Sequence, residues 1–392
     1  MERMSSHAEA PRVPCLDGLR TLAVLLVVLF HQEVLPFGWV GVQIFFVLSG
    51  YLITRLLVRA SDVPLGEYLR DFYGRRSLRI FPLYFAVVGA LALAVWGLHA
   101  RLVGVAEGLP FAATYTYNIW HATSHFVHSK VITHFWSLCV EEQFYLVWPF
   151  LIYFCPRAKL GTTLKTIVLL GPFVRGATWW LLSRPGLAVH QPDVAVYVLT
   201  PSHVDAFAIG GYFALFPLGG SRRALFASFA TLLAAGILIV LFSDASGWSY
   251  AATWSSLGFP LGMGPGYALI WGFSLMNVCS ALLIDCIAHR KFAPWFFEFP
   301  VLNYLGKISY GLYVFHYPLQ SAVSKLLPNA GLLPQLAVQL ALTVAIASAS
   351  FHLWESRFSR MKDVWFPGTP RAPKPSPTLA GAGAEAGARD PR

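Results

Sequence analysis

Residues 16–54 read LDGLRTLAVLLVVLFHQEVLPFGWVGVQIFFVLSGYLIT, two apolar runs interrupted at Gln32, Glu33 and Pro36. Set into the first run are one arginine, Arg20, and one histidine, His31. On an α-helix their separation is about three turns, or roughly 16 Å of rise, so both side chains project from one face at different depths. Ionisable groups inside a spanning helix are expensive against lipid and by default mark a bundle interior, a cavity or a reaction site. Plainer readings stand beside that one: Arg20 can pair with Asp17 at the helix end, and His31 can be a neutral imidazole hydrogen-bonded to a neighbouring helix.

Outward from this stretch the chain keeps the same character. Its 392 residues are 56% hydrophobic and 12% charged, with a mean hydropathy of +0.57, too few polar residues to coat a soluble globule. Apolar runs near the ~20 residues that cross a bilayer fall at 19–36, 38–57, 81–98, 141–155, 162–182, 203–218, 225–242, 264–287, 303–325 and 333–354. The expected fold is all-α, a polytopic membrane bundle of about ten transmembrane helices. A net charge of +10 raises nucleic acid as a partner, but the basic residues are dispersed between apolar runs and form no basic domain interleaved with aromatics. With the N-terminus inside, the outer segments hold only Arg101, Lys130, Arg184 and Lys325, Arg175 lies within a span, and every other lysine and arginine is internal. That asymmetry follows the positive-inside rule and places both termini in the cytoplasm.

The chain divides into a lead (1–15), a membrane domain (16–355) and a tail (356–392) whose Pro/Ala/Gly composition predicts disorder. No A-x-A-like cleavage site follows a short apolar core, so the first span is expected to stay. The five cysteines contain no C-x-x-C pair and read as small buried hydrophobes.

Further along, Ser49 and Gly50 suit either close helix packing or the lining of an acyl site, with Tyr51 beside them. In EYLRDFYGRRSLRIFPLY (67–84), Arg75, Arg76 and Arg79 precede a span; a membrane anchor needs one or two such cations, and three also suit a polyphosphate. Pro82 is expected in that helix's first turn. The outer loop places His121, His125 and His128 at helical spacing, but no carboxylate or cysteine accompanies them and no metal is assigned. In HFWSLCVEEQFYLVWPFL (134–151), Glu141 and Glu142 point about 100° apart, so one at most should look squarely into a pocket; the dipole at a helix N-terminus is their plainer explanation. Trp136 and Tyr145 flank them as substrate contacts. Asp205, in HVDAFAIGGYFAL (203–215), is either functional or a helix cap. His316, in YLGKISYGLYVFHYPLQ (304–320), comes after roughly 20 Å of rise, level with His31.

Together LDGLR (16–20), the Arg20-x10-His31 spacing, FFVLSGYLIT (45–54), RRSLRIFPLY (75–84), HFWSLCVEEQFY (134–145) and LGKISYGLYVFHYPL (305–319) resemble the acyltransferase-3 family of integral-membrane O-acyltransferases, in family order over about residues 16–355. Cys139 departs from the serine or other small residue more usual there. The resemblance implies transfer of an acyl group, commonly acetyl, from acyl-CoA to a hydroxyl of a sugar or glycan acceptor at a bacterial inner membrane, with no permanently bound cofactor. It makes His31 the essential histidine, Arg20 its motif partner, and Arg76 with Arg79 the donor-binding arginines. Some family members carry an extra C-terminal hydrolase-like domain; none is expected after the tenth span here, which puts in doubt any scheme that needs it in the same polypeptide.

The expected mechanism puts the CoA phosphates on Arg75, Arg76 and Arg79, with His31 as general base. Glu141 or Glu142 would orient the imidazole, and Ser49, Tyr51 or His316 would donate to the oxyanion. Rival readings are a small secondary metabolite such as a macrolide as acceptor, a transporter of glycans or lipid-linked sugars, and a non-catalytic scaffold. The two halves of the chain show no paired, Gly/Pro-broken spans of the transporter kind.

Overall fold

The computed structural model describes residues 13–189, 191–242, 254–261 and 267–366. The lead up to residue 12, most of the 243–263 loop and the tail from 367 lie outside them. Among the described residues all helices and no strands are found. In chain order the helices are Pro14–His31 (α1), Val40–Ala60 (α2), Leu65–Ala92 (α3), Val105–Ala113 (α4), Tyr117–His121 (α5), Phe135–Phe154 (α6), Arg157–Leu182 (α7) and Pro192–Val198 (α8). There follow Val204–Leu215 (α9), Arg222–Leu241 (α10), Tyr267–Ala288 (α11), Pro294–Phe297 (α12), Pro300–Lys307 (α13), Ser309–Leu326 (α14), Leu332–Ser350 (α15) and Ser356–Trp365 (α16).

Among the described residues six stretches are long and apolar enough to cross a membrane: Pro14–His31, Val40–Ala60, Leu65–Gly97, Arg222–Leu241, Leu269–Ala288 and Leu332–Lys362. Four of the ten expected runs are not among these six: those at 141–155 and 162–182 form the helices α6 and α7, and the other two take a different form from the one expected. The run at 203–218 becomes α9, whose 12 residues rise only about 18 Å. Pro192 opens α8 and Pro201 opens the 3₁₀ turn before α9, positions where a missing N–H costs least. The run at 303–325 breaks at Ile308 into α13 and α14. Pro82 is likewise not in a first turn: α3 starts at Leu65 and carries the arginines and the apolar run in one continuous helix.

α2 is buried along most of its length and packs against α1, α6, α9 and α11. Its crossing with α9 is a backbone contact. A Cβ on Gly50 would lie 2.1 Å from the Phe207 carbonyl oxygen, and one on Gly210 would lie 2.0 Å from that of Val47. Helices α3, α10 and α15 ring this centre and turn leucine, phenylalanine and valine outward, among them Phe85, Phe226, Leu233, Leu238, Val338 and Leu342. So much exposed apolar surface on long helices suits a lipid solvent.

Candidate active site

Five helices enclose a cavity of about 110 Å³. Arg20 comes from α1; Val42, Phe45, Ser49 and Leu52 from α2; Arg76 and Arg79 from α3; Ser137, Leu138, Glu141, Glu142 and Tyr145 from α6; Ser309, Tyr310 and Tyr313 from α14. α2, α3, α6 and α14 each contribute residues three or four apart, the stripe that one helical face presents, and α1 contributes Arg20 alone. Both glutamates reach the wall, where adjacency predicted one; the cavity wraps far enough around α6 to take in both directions.

The charges in this cavity are unevenly matched. Arg20 donates to Asp17 at 2.8 Å. Glu141 accepts hydrogen bonds from the Ser49 and Tyr145 hydroxyls. Arg76 lies over the Tyr145 ring, 5.1 Å from its centroid. Among the described residues no ion pair closes Arg76 or Arg79, so their donors are available to an anion entering the cavity.

The faces of α1 and α14 that carry Arg20 and Tyr313 continue outward to the imidazoles. His31 is half-buried, and its ring lies 4.4 Å from that of Tyr317 and 5.0 Å from that of His316, centroid to centroid. His316 and His134 are fully buried, with ring centroids 5.0 Å apart. His31 Nδ1 is 2.9 Å from the Val27 carbonyl oxygen and 3.1 Å from His316 Nε2. The sequence reading had a glutamate orient this ring; the structure puts His316 there instead, and Glu141 is engaged with Ser49 and Tyr145. Neither His31 nor His316 lies on the cavity wall. The Tyr313 and Ser137 hydroxyls, in contact with each other and each 3.1 Å from the His134 carbonyl oxygen, stand between; their two hydrogens serve two of these three contacts at a time.

Four other residues named from the sequence lie away from this cavity. Arg75 is about 100° around α3 from Arg76 and donates to the Phe366 carbonyl at 2.7 Å, next to α16. Tyr51 is two residues from Ser49 and so on the opposite side of α2, buried in the core. Trp136 packs on Tyr197 at 4.6 Å. Asp205 receives Arg175 Nη1 at 2.8 Å and the Ser274 hydroxyl at 3.0 Å, and both charged side chains are fully buried; it locks α7, α9 and α11 together.

Residues the sequence did not single out complete the arrangement. The Gln320 amide donates to the His31 carbonyl, and the Gln339 amide donates to the His316 carbonyl at 2.9 Å while accepting from Gln32. Glutamine and tyrosine carry no charge, so nothing in the sequence set these apart from ordinary helix residues. At the outer edge, partial burial and Lys130 hold His128 below the usual imidazole range, and the Tyr317 hydroxyl lies 3.2 Å from its Nε2.

Comparison with known proteins adds a family and relatives. Acyl_transf_3, described as an acyltransferase domain, matches residues 13–354. The peptidoglycan O-acetyltransferase OatA of Listeria monocytogenes is 27% identical over 367 residues, 88% of this chain and 55% of that protein. The putative peptidoglycan O-acetyltransferase YrhL of Bacillus subtilis is 27% identical over 370 residues, 88% of this chain and 54% of that protein. A putative O-acetyltransferase of Staphylococcus aureus is 26% identical over 381 residues, 89% and 57% respectively. The chain thus spans about half the length of these relatives. No solved structure matches.

Proposed function

This chain belongs to the acyltransferase family Acyl_transf_3, and on that premise we propose that it is a membrane O-acyltransferase. It moves an acyl group, acetyl being the one in the relatives' names, from acyl-CoA to a hydroxyl of a glycan. One observation carries the reading: a cavity walled by three guanidiniums is separated from the His31–His316 pair only by the Tyr313 and Ser137 side chains. Arginine matches phosphate geometry with a rigid fork of donors, and among the described residues Arg76 and Arg79 close no ion pair, although Glu141 and Glu142 share the cavity wall with them. They bind the CoA phosphates, with Arg20 beside them.

The thioester then extends toward the Tyr313–Ser137 contact and His31 above it. Neutral His31 takes the proton from the acceptor hydroxyl as its oxygen bonds to the thioester carbon. The carbon–sulfur bond breaks, and the departing CoA thiolate recovers the proton from the imidazolium. Because Tyr313 and Ser137 separate cavity from imidazole, their contact opens when the donor is in place, and their hydroxyls are then positioned to donate to the developing oxyanion. Ser49, committed to Glu141, and Tyr51, outside the cavity, are less suited to that task. The glycan acceptor is favoured over a small metabolite by the names of the relatives, two of them peptidoglycan O-acetyltransferases.

The test separates binding from chemistry. Detergent-solubilised protein is titrated with acetyl-CoA, and transfer to a peptidoglycan fragment is followed by mass spectrometry. Arg76→Ala with Arg79→Ala abolishes donor binding, whereas His31→Ala retains it and loses transfer by about 10² to 10⁴. Full transfer by His31→Ala, or undiminished binding by the double variant, overturns the assignment.

A further inference from the structure

The hydrogen bonds around the two intramembrane histidines fix where their protons sit. A backbone carbonyl only accepts, and His316 Nδ1 lies 2.6 Å from the Tyr313 carbonyl oxygen, so His316 carries its proton on Nδ1. A neutral imidazole has one N–H, which leaves His316 Nε2 as a bare acceptor. That acceptor is 3.1 Å from His31 Nδ1, and the Val27 carbonyl oxygen is 2.9 Å from the same atom. Two acceptors converge on His31 Nδ1, which therefore holds the hydrogen, and the lone pair of His31 is on Nε2. The opposite arrangement, with His316 doubly protonated, would aim a bare His31 nitrogen at the Val27 carbonyl. It would also bury an imidazolium with no carboxylate hydrogen-bonded to it, at a large desolvation cost.

We propose that His316 is a positioning residue, whose Nε2 holds His31 as the Nδ1–H tautomer and thereby presents His31 Nε2 as the basic atom. This rests on the reading of His31 as general base and replaces the expectation that His316 donates to the oxyanion: its one N–H is already given to Tyr313. The main chain on either side is braced to keep the pair in register. Gln320 donates to the His31 carbonyl, and Gln339 to the His316 carbonyl at 2.9 Å. The groups facing the pair are Tyr317 and Tyr313 from α14, His134 at the start of α6 and, through the Tyr317 hydroxyl, His128. Among the described residues none of the carboxylates hydrogen-bonds either ring.

The substitutions that test this divide the two nitrogens of His316. His316→Gln places a side-chain oxygen near the former Nε2 and keeps an acceptor for His31. His316→Asn keeps a donor near the former Nδ1 but loses that acceptor, and His316→Leu loses both. The expected result is a fall in kcat on the order of a hundredfold for Leu and Asn, the scale of a misplaced catalytic group. KM for acetyl-CoA should stay unchanged in both, and His316→Gln should recover most of the rate. In parallel, ¹⁵N-histidine NMR of the wild-type protein, with the His31→Gln spectrum subtracted, should show His31 protonated at Nδ1 and bare at Nε2.

A His31 proton on Nε2, or Asn and Leu variants with wild-type kcat, overturns the inference. If His31→Gln abolishes transfer while those variants remain fully active, the base assignment stands and the tautomer role falls. If His31→Gln itself is active, the base assignment falls first. Should His316→Leu not fold, the wild-type spectrum and the Gln–Asn pair still decide.

Discussion

Arg175 and Asp205 sit almost out of reach of solvent, each side chain about 1% exposed or less. The guanidinium spends its remaining donors on the Ile270 and Ser202 carbonyls and on Ser274. Removing one partner of such a pair strands the other charge and costs about 3–5 kcal/mol, whereas replacing both with well-packed apolar residues is far milder. Asp205→Ala should therefore lower the unfolding midpoint sharply in detergent, and Arg175→Met with Asp205→Leu should recover much of it. KM for donor and acceptor should stay unchanged in whichever variants fold. A raised acceptor KM at unchanged stability would restore Asp205 to the substrate site. In the sequence these are two isolated charges thirty residues apart, and the rule that intramembrane charges mark function applies equally to both. Only packing brings them together, so the sequence could not tell a structural ion pair from a ligand contact. Arg20, Arg76 and Arg79 were legible for the opposite reason: their spacing along single helices already set which face each would present.

At the scale of helices, the crossing of α2 and α9 depends on two glycines that the sequence shows as separate small-residue spots. A Cβ on either would strike backbone, which cannot swing aside as a side-chain tip can. Overpacking of this kind costs about 1–3 kcal/mol. Gly210→Ala and Gly50→Ala should each lower the stability by that order, seen as a lower thermal midpoint. Gly211→Ala should cost less, because its added methyl meets the Thr54 side chain at 2.5 Å rather than a carbonyl. Equal loss from all three, measured by fluorescence-monitored melting in detergent, would mean the crossing is looser than drawn. Helix existence was readable from the apolar runs, and the breaks were not. α9 is short because Pro201 and the extended Leu199 (ψ 136°) start it late, and the α13–α14 break at Ile308 accompanies the seating of Gly306 on the Asp17 carbonyl. Each break answers to a neighbour distant in sequence, which hydropathy does not register.

Across the whole molecule, the donor and acceptor readings place two substrates at two depths. The guanidiniums of α3 belong to the helix whose stretch 65–79 carries Arg70, Arg75, Arg76 and Arg79, and the positive-inside rule would set that stretch toward the cytoplasm. His31 lies at the far end of α1, about 16 Å higher than Arg20, and is half-buried there. Acyl-CoA does not cross a bilayer unaided, so the side to which it must be added reports the orientation directly. In inverted membrane vesicles, acetyl-CoA supplied outside should acylate a peptidoglycan-fragment acceptor enclosed in the lumen. In right-side-out vesicles the same additions should give no product until the membrane is permeabilised. Arg76→Ala with Arg79→Ala should silence the inverted vesicles without changing protein content. Transfer by sealed right-side-out vesicles from external acetyl-CoA would reverse the orientation, and with it the assignment of the arginine end to the donor.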